Sequence, residues 1–341
     1  MERLKVAGVT EVLVEAGLPS RLLPDRSDRS RAAILTQPAA RPRAVEISDR
    51  LVATGIATEV IGLPDRDEAK TLAVAESVYE SLARFGLSRH DTVIGVGGGA
   101  VTDLAGYVAG TWLRGVEVVH FPTTLLAAVD ASIGGKTGVN LAGKNLVGVF
   151  WHPTRVVVDT ELLEALPTWL LREGFSEAYK AGLIGDRALC DLVTARGLGA
   201  PLQEVVTRAA TVKVNIVNED EREHGKRAYL NLGHTIGHAI EFASSLSHGA
   251  SVAVGMVAAV RISSEVLGFS ESETVISTLG LLGLPVDATD MDSARVRDLL
   301  RHDKKRDEVG LRMVLLESIE APVVRHVTGD EIEIGLAAVG L

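Results

Sequence analysis

Thr92-Val93-Ile94-Gly95-Val96-Gly97-Gly98-Gly99-Ala100-Val101-Thr102-Asp103 decides the fold. Thr92–Val96 is a short β-branched run and reads as a buried strand. It runs without a linker into three glycines and then into a helix-forming segment. A strand, a glycine turn and a helix in succession are the start of a βαβ unit, which implies a parallel sheet. The same rhythm extends on both sides. Ala32–Thr36, Ala57–Leu63, Val116–Phe121 and Arg155–Val158 read as strands. Ala44–Thr54, stopped by Gly55, and Lys70–Phe85, stopped by Gly86, read as helices. From Pro167 to Phe269 the periodicity is helical, and Leu311–Leu316 and Pro322–Val327 return to short strands. The expected fold is α/β: an N-terminal parallel-sheet nucleotide-binding domain over 1–166, with helices on both faces, and a mainly helical metal- and substrate-binding domain over 167–341.

Composition agrees. A chain of 341 residues suggests about two domains. Hydrophobic residues make up 46% and aromatics 4%, so the core is built mostly from Ala, Val, Leu and Ile. The net charge of −10 argues against a nucleic-acid partner, which needs a basic face. A small anionic substrate stays possible, because a few local cations outweigh a global charge. With Cys190 the single cysteine, any metal must sit on histidines and carboxylates. No signal peptide is evident over Met1–Val14, and the apolar run Val252–Val260 is too short for a membrane span. The expectation is a cytoplasmic protein with no membrane partner.

Gly95-Val96-Gly97-Gly98-Gly99-Ala100 fits a loose G-x-G-x-x-A pattern. Such a turn lets a phosphate approach the backbone at a helix N-terminus. It also serves simply as a tight strand-to-helix connection, and both readings stand. Asn231-Leu232-Gly233-His234-Thr235-Ile236-Gly237-His238 places two histidines on one helical face, and His248 follows in Ser247-His248-Gly249. Thr235 occupies the position where a zincin has glutamate, which disfavours metalloprotease chemistry. Three imidazoles near one carboxylate suit Zn²⁺ or a similar ion; an interhelical polar network is the alternative. Arginines outnumber lysines 26 to 9, so this chain uses Arg as its generic surface cation. Lys70, Lys136, Lys144, Lys180, Lys213 and Lys226 instead lie in or beside Gly-, Asn- or Glu-containing polar motifs. Gly134-Gly135-Lys136-Thr137 and Gly143-Lys144-Asn145 suggest phosphate binding without the Walker spacing.

Taken together, these motifs resemble those of the 3-dehydroquinate synthases. The resemblance rests on Gly97 to Gly106, on Phe121-Pro122-Thr123-Thr124-Leu125-Leu126 through Asp130, and on the two lysine motifs. It continues in Ser176-Glu177-Ala178-Tyr179-Lys180, Arg227, Asn231 to Thr235, His248-Gly249 and Asp303-Lys304-Lys305. It implies that Glu177, His234 and His248 hold a divalent metal, Zn²⁺ or Co²⁺. It implies an NAD site lined by Asp67, Lys70, Gly98, Gly99, Asp103, Thr123 and Thr124, with Lys136, Lys144 and Thr160. Asp130, Lys136, Asn145 and Lys180 would surround the reacting hydroxyl carbons. Lys213 and Arg227 would hold a substrate carboxylate. Asn231, His238, Lys304 or Lys305, and Arg114 from a second subunit would hold the phosphate of a sugar-acid phosphate. The family is usually a homodimer.

Three features depart from the family pattern. Ala250 stands where the family usually has Glu, the stretch from Lys136 to Lys144 is one residue short, and Ser176-Glu177-Ala178-Tyr179 is an unusual variant. The competing readings are a sister sugar-phosphate cyclase acting on an amino analogue, a metal-dependent polyol dehydrogenase, and a non-catalytic homologue.

Overall fold

The computed structural model describes residues 2–301 and 310–341. Lys304 and Lys305 lie outside the described residues. The chain divides into two compact units, Met1–Leu166 and Pro167–Leu341.

The first unit comprises β1 (Glu2–Val6), β2 (Thr10–Glu15), β3 (Arg31–Thr36), α1 (Arg41–Val52), β4 (Ala57–Gly62), α2 (Leu72–Phe85), β5 (Thr92–Gly97), α3 (Gly99–Thr111), β6 (Glu117–Pro122), β7 (Lys136–Val139), β8 (Val147–Phe150), β9 (Arg155–Asp159) and α4 (Thr160–Glu164). Seven strands form one sheet in the order β1-β2-β9-β6-β5-β3-β4. All neighbours are parallel except the β1–β2 hairpin at one edge. Successive side chains of a strand point to opposite faces. Ala33, Leu35 and Val93 accordingly pack on one face with α2 and α3, while Ala32, Ile34, Ile94 and Val96 pack on the other with α1. Each fully buried Val, Leu or Ile side chain contributes roughly 1.5–3 kcal/mol. A strand buried on both faces needs an unbroken apolar run, which is why β3 and β5 stand out in the sequence.

Two features of this unit differ from the sequence expectation. The helix expected from Lys70 begins at Leu72, because Thr71 in extended conformation caps it, its side chain accepting from the Val74 N–H. Lys70 instead ends a short 3-10 turn, Arg66–Ala69. The hairpins β1–β2 and β7–β8 were not anticipated. The second pairs Lys136–Val139 with Val147–Phe150, and it needs glycines at 138 and 148. A Cβ at Gly148 would lie 2.3 Å from the Thr137 carbonyl oxygen.

The second unit contains α5 (Thr168–Gly185), α6 (Arg187–Arg196), α7 (Leu202–Glu219), α8 (His234–Ala243), α9 (His248–Leu267), α10 (Ser272–Leu281), α11 (Ser293–Arg301), the antiparallel pair β10 (Leu311–Ser318) and β11 (Ala321–Val327), and α12 (Gly329–Ala338). Two of these helices form its centre. Residues 174–184 of α5 and 249–260 of α9 are buried without interruption. The α9 stretch is apolar or small all round but for Ser251, and such a helix belongs in a core, whereas α5 also buries Ser176, Glu177 and Lys180. Helix α9 is long and apolar enough to cross a membrane, yet 72% of its most apolar window is buried inside the protein.

Candidate metal centre and nucleotide turn

In the first unit, β5 delivers the chain to Gly98, the N-cap of α3, in extended conformation. Packing dictates the glycines. A Cβ at Gly97 would lie 2.4 Å from Val101 Cγ2, and one at Gly99 would lie 3.2 Å from Ala131 Cβ. The first-turn N–H groups of α3 are thereby presented at a helix start, where anions are favoured. Thr123 follows directly after β6, its N–H bonded to the Gly97 carbonyl at 2.9 Å, and a Cβ at Gly98 would meet Thr124 at 3.3 Å. Lys70 joins this turn from the neighbouring segment. Its buried ammonium donates to Asp103 Oδ2 at 2.5 Å and to Asn145 Oδ1 at 2.6 Å. Asn145 has a positive φ of 56°, and its N–H donates to Asn140 Oδ1 at 3.0 Å. Lys144 lies 3.5 Å from Asp67.

The remaining first-unit candidates have more distinct settings. Asp130 lies in a π-helical turn, Ala127–Ala131, a local form frequent at functional sites. Lys136 is exposed at the start of β7. Thr160 is buried at the start of α4, with its hydroxyl donating to the Glu15 carbonyl at 3.3 Å. Arg114 is exposed within a run of three positive φ values, Leu113, Arg114 and Gly115. Trp151 packs beneath this run so tightly that a Cβ at Gly115 would lie 2.3 Å from its ring.

In the second unit, α5, α8 and α9 each supply one group to a common point. Glu177 Oε1 lies 3.6 Å from His234 Nε2 and 3.5 Å from His248 Nε2. These separations are too long for hydrogen bonds. Two ligands about 2.1 Å from a tetrahedral ion lie about 3.4 Å apart, which matches them. Glu177 Oε1 is buried and has no hydrogen-bond partner among the described residues. A buried carboxylate oxygen facing two imidazole nitrogens is a donor set suited to a divalent cation, so the residues fit the metal that the sequence implied. The other carboxylate oxygen, Oε2, accepts from the Lys180 ammonium, which is equally buried. His234 Nδ1 lies 3.2 Å from the Leu232 carbonyl, and His248 Nδ1 lies 3.2 Å from Glu241 Oε2. Both second ring nitrogens are thus oriented, as metal-ligating histidines require.

Close backbone packing produces this convergence. Gly233, with φ of 78°, caps α8 directly before His234. A Cβ at Gly255 of α9 would lie 1.9 Å from the Gly233 carbonyl oxygen, and one at Gly237 would lie 2.9 Å from the Ser251 carbonyl oxygen. Backbone therefore touches backbone between α8 and α9. His238, one turn after His234, brings its ring centroid to 5.2 Å from that of His234 and 6.0 Å from that of His248. Lys213 of α7 and Arg227 are both buried, and Asn231 Nδ2 donates to Glu223 Oε1 at 2.8 Å. Sequence reasoning missed Glu241, although it lies three residues after His238 on the same helix. It also missed Glu173, one turn before Glu177.

Burial alone would push the Glu177 carboxyl upward. The Lys180 ammonium and His248 outweigh it and hold the group down at about 2. Burial likewise disfavours a charged His248, but the facing carboxylates of Glu177 and Glu241, the second at hydrogen-bond distance, raise it from 6.5 to about 10. The metal-free fold therefore binds this proton more tightly than the unfolded chain does. That stabilisation is full below about 6.5 and is lost as pH rises through about 10. A divalent ion needs the neutral imidazole and so competes with the proton. The increase in Tm caused by Co²⁺ is expected to grow between about pH 6.5 and about pH 8.5. Melts with and without the ion test this, and an increment that shrinks toward alkaline pH contradicts it.

The 3-dehydroquinate synthase N-terminal family model matches residues 60–173, and the 3-dehydroquinate synthase C-terminal model matches 174–306. The chain belongs to the 3-dehydroquinate synthase family. A 3-dehydroquinate synthase of Saccharopolyspora erythraea is 43% identical over 324 residues, which cover 92% of this chain and 87% of the relative. Among solved structures, 2-epi-5-epi-valiolone synthase from Streptomyces hygroscopicus, with NAD+ and Zn2+ bound, is similar at a TM-score of 0.88 and 26% identity, covering 99% of this chain and 98% of its own. A 2-deoxy-scyllo-inosose synthase complexed with carbaglucose-6-phosphate, NAD+ and Co2+ gives 0.87 and 25%, covering 98% and 99%. The α/β class expected from the glycine turn is thus the class of this family.

Proposed function

We propose that the chain is a 3-dehydroquinate synthase. It converts 3-deoxy-D-arabino-heptulosonate 7-phosphate to 3-dehydroquinate and phosphate in the shikimate pathway of aromatic amino-acid biosynthesis. The observation that carries this reading is the buried Glu177 oxygen facing His234 and His248 in a chain 43% identical to such a synthase. When bound, NAD supplies a hydride acceptor restored within each turnover, and Zn²⁺ or Co²⁺ supplies Lewis acidity at the substrate's secondary hydroxyl.

The chain's own residues do the rest. The glycine turn and the first turn of α3 receive the NAD pyrophosphate, with Lys70, Asp103, Thr123 and Thr124 about it. Asp67, Lys136, Lys144 and Thr160 complete the proposed NAD-side set. Lys180 is fixed by its ion pair with the metal ligand Glu177. Asp130, Lys136, Asn145 and Lys180 act on the hydroxyl-bearing carbons as donors and acceptors. Lys213 and Arg227, both buried cations, are the pair that would hold the substrate carboxylate. They support a carboxylate-bearing substrate over a carboxylate-free sugar phosphate. Asn231, His238, Lys304 or Lys305, and Arg114 of a second copy neutralise the phosphate and stabilise its departure. The protein works as a cytoplasmic homodimer.

Metal-loaded full-length protein is to be incubated with NAD+ and the heptulosonate phosphate, following inorganic phosphate and product mass. Phosphate and 3-dehydroquinate are expected in equal amounts, and His234→Ala should slow both on the order of a thousandfold, the worth of several kcal/mol of metal assistance. A protein that binds both cofactors yet releases no phosphate sinks the reading.

A further inference from the structure

Helix α9 carries the ligand His248 as its first residue, so the way this helix starts decides where the ligand sits. Its N-cap, Ser247, makes no side-chain cap bond to its own helix. The third helical position is Ala250, which cannot complete the capping box that a glutamate there would form. The start of α9 is bonded from another helix instead. Glu173 of α5 accepts the Gly249 N–H on Oε2 at 2.8 Å and the Ser247 hydroxyl on Oε1. Ser176 of α5, fully buried, donates its hydroxyl to the Gly249 carbonyl at 2.8 Å. The Gly249 residue is therefore held at both its N–H and its carbonyl by α5. A Cβ at Gly249 would lie 2.7 Å from the Glu173 carbonyl oxygen, so the two helices are in backbone contact there. Glu177 follows Glu173 by one turn on the same face.

We propose that Glu173, with Ser176, is a positioning residue for the metal centre: by capping α9 from α5 it fixes His248 against Glu177 at the separation one cation requires. A cap within α9 would order that helix but would leave its distance from α5 free. The cap from α5 sets both at once. The inference rests on Glu177, His234 and His248 being the metal ligands.

Metal-free full-length protein is titrated with Co²⁺ against a chromophoric chelator, and the d–d absorption of the bound ion is recorded. Wild type is expected to bind one Co²⁺. Glu173→Ala should weaken binding about tenfold or more, the usual effect of removing a residue that orients a ligand, and should shift the d–d band. Glu173→Gln keeps an oxygen for the Gly249 N–H and should stay close to wild type in both. Wild-type affinity and band in Glu173→Ala overturn the proposal. So does Glu173→Gln binding as weakly as Glu173→Ala with an unshifted band, since the carboxylate would then act only as a distant charge. Ala250→Glu in the Glu173→Ala background rebuilds a cap on α9 alone; full recovery there means that local capping suffices and overturns the tie between helices. If Glu173→Ala does not fold, Ser176→Ala must show the band shift, and an unshifted band overturns the proposal. Failure of wild type to bind Co²⁺ at all removes the metal reading and this inference together.

Discussion

Glu177→Ala is expected to lose the bound metal and about 3–5 kcal/mol of stability, even when stability is measured without metal. The two losses have separate causes. The carboxylate oxygen Oε1 is the meeting point of the two imidazoles, so its removal takes a ligand from the site. Oε2 is the partner of the Lys180 ammonium, whose side chain is 2% exposed. Removing it leaves a cation buried without its partner, which is the expensive way to break an ion pair. Glu177→Gln separates the effects, because its amide oxygen still accepts from Lys180 but carries no charge for a metal. It should lose the metal and less of the stability. Adding Lys180→Met to Glu177→Ala should recover part of the stability, because it removes the orphaned charge. Urea unfolding of metal-free protein, with metal content measured separately, reads both quantities. Equimolar metal retained by Glu177→Ala would remove this residue from the centre.

Gly255→Ala is the second large effect, and it reaches the site without touching a ligand. A methyl group at 255 would lie 1.9 Å from the Gly233 carbonyl oxygen and 2.7 Å from the Gly237 nitrogen. Neither is the end of a flexible side chain. Helices α8 and α9 must move apart, which separates His234 from His248. Overpacking of a well-filled core typically costs about 1–3 kcal/mol, and a backbone contact this close lies at or beyond the upper end. Metal affinity should fall with it. The control is Gly280→Ala in α10, where a Cβ meets nothing within 4 Å and φ is not in the left-handed region. That change should stabilise the protein by roughly 0.5–1 kcal/mol, the helix preference of Ala over Gly. Paired thermal melts and Co²⁺ titrations distinguish the two variants. Gly255→Ala with wild-type Tm and metal affinity would mean that the helices part at no cost to the centre.

Local pattern made the doubly covered sheet legible. Strands β3, β5, β6 and β9 are buried on both faces and so appear as apolar runs, and the glycines after β5 mark the turn into α3. The edge strand β1 shows no such run because it is largely exposed, β2 offers only the three apolar residues Val12–Val14 between glutamates, and glycines interrupt β7–β8. The same locality limits the site. His234 and His238 share a helical face, and that much is periodicity. Which of them meets Glu177 depends on how α8 lies on α9, and the sequence implied His234 only through its resemblance to a family.

The sequence by itself determined the α/β class, the position of the glycine turn and the residue types available to a metal in a chain with one cysteine. These follow from short-range regularities: strand and helix periods, glycine's conformational freedom and ligand chemistry. Tertiary structure alone decided that Glu177 Oε1 stands 3.5 Å from His248 and 3.6 Å from His234, that Glu241 orients His248, and that Glu173 caps α9 from α5. The physical reason is that these contacts join residues as much as 76 positions apart, and their distances are set by backbone contact between helices, which no local pattern encodes.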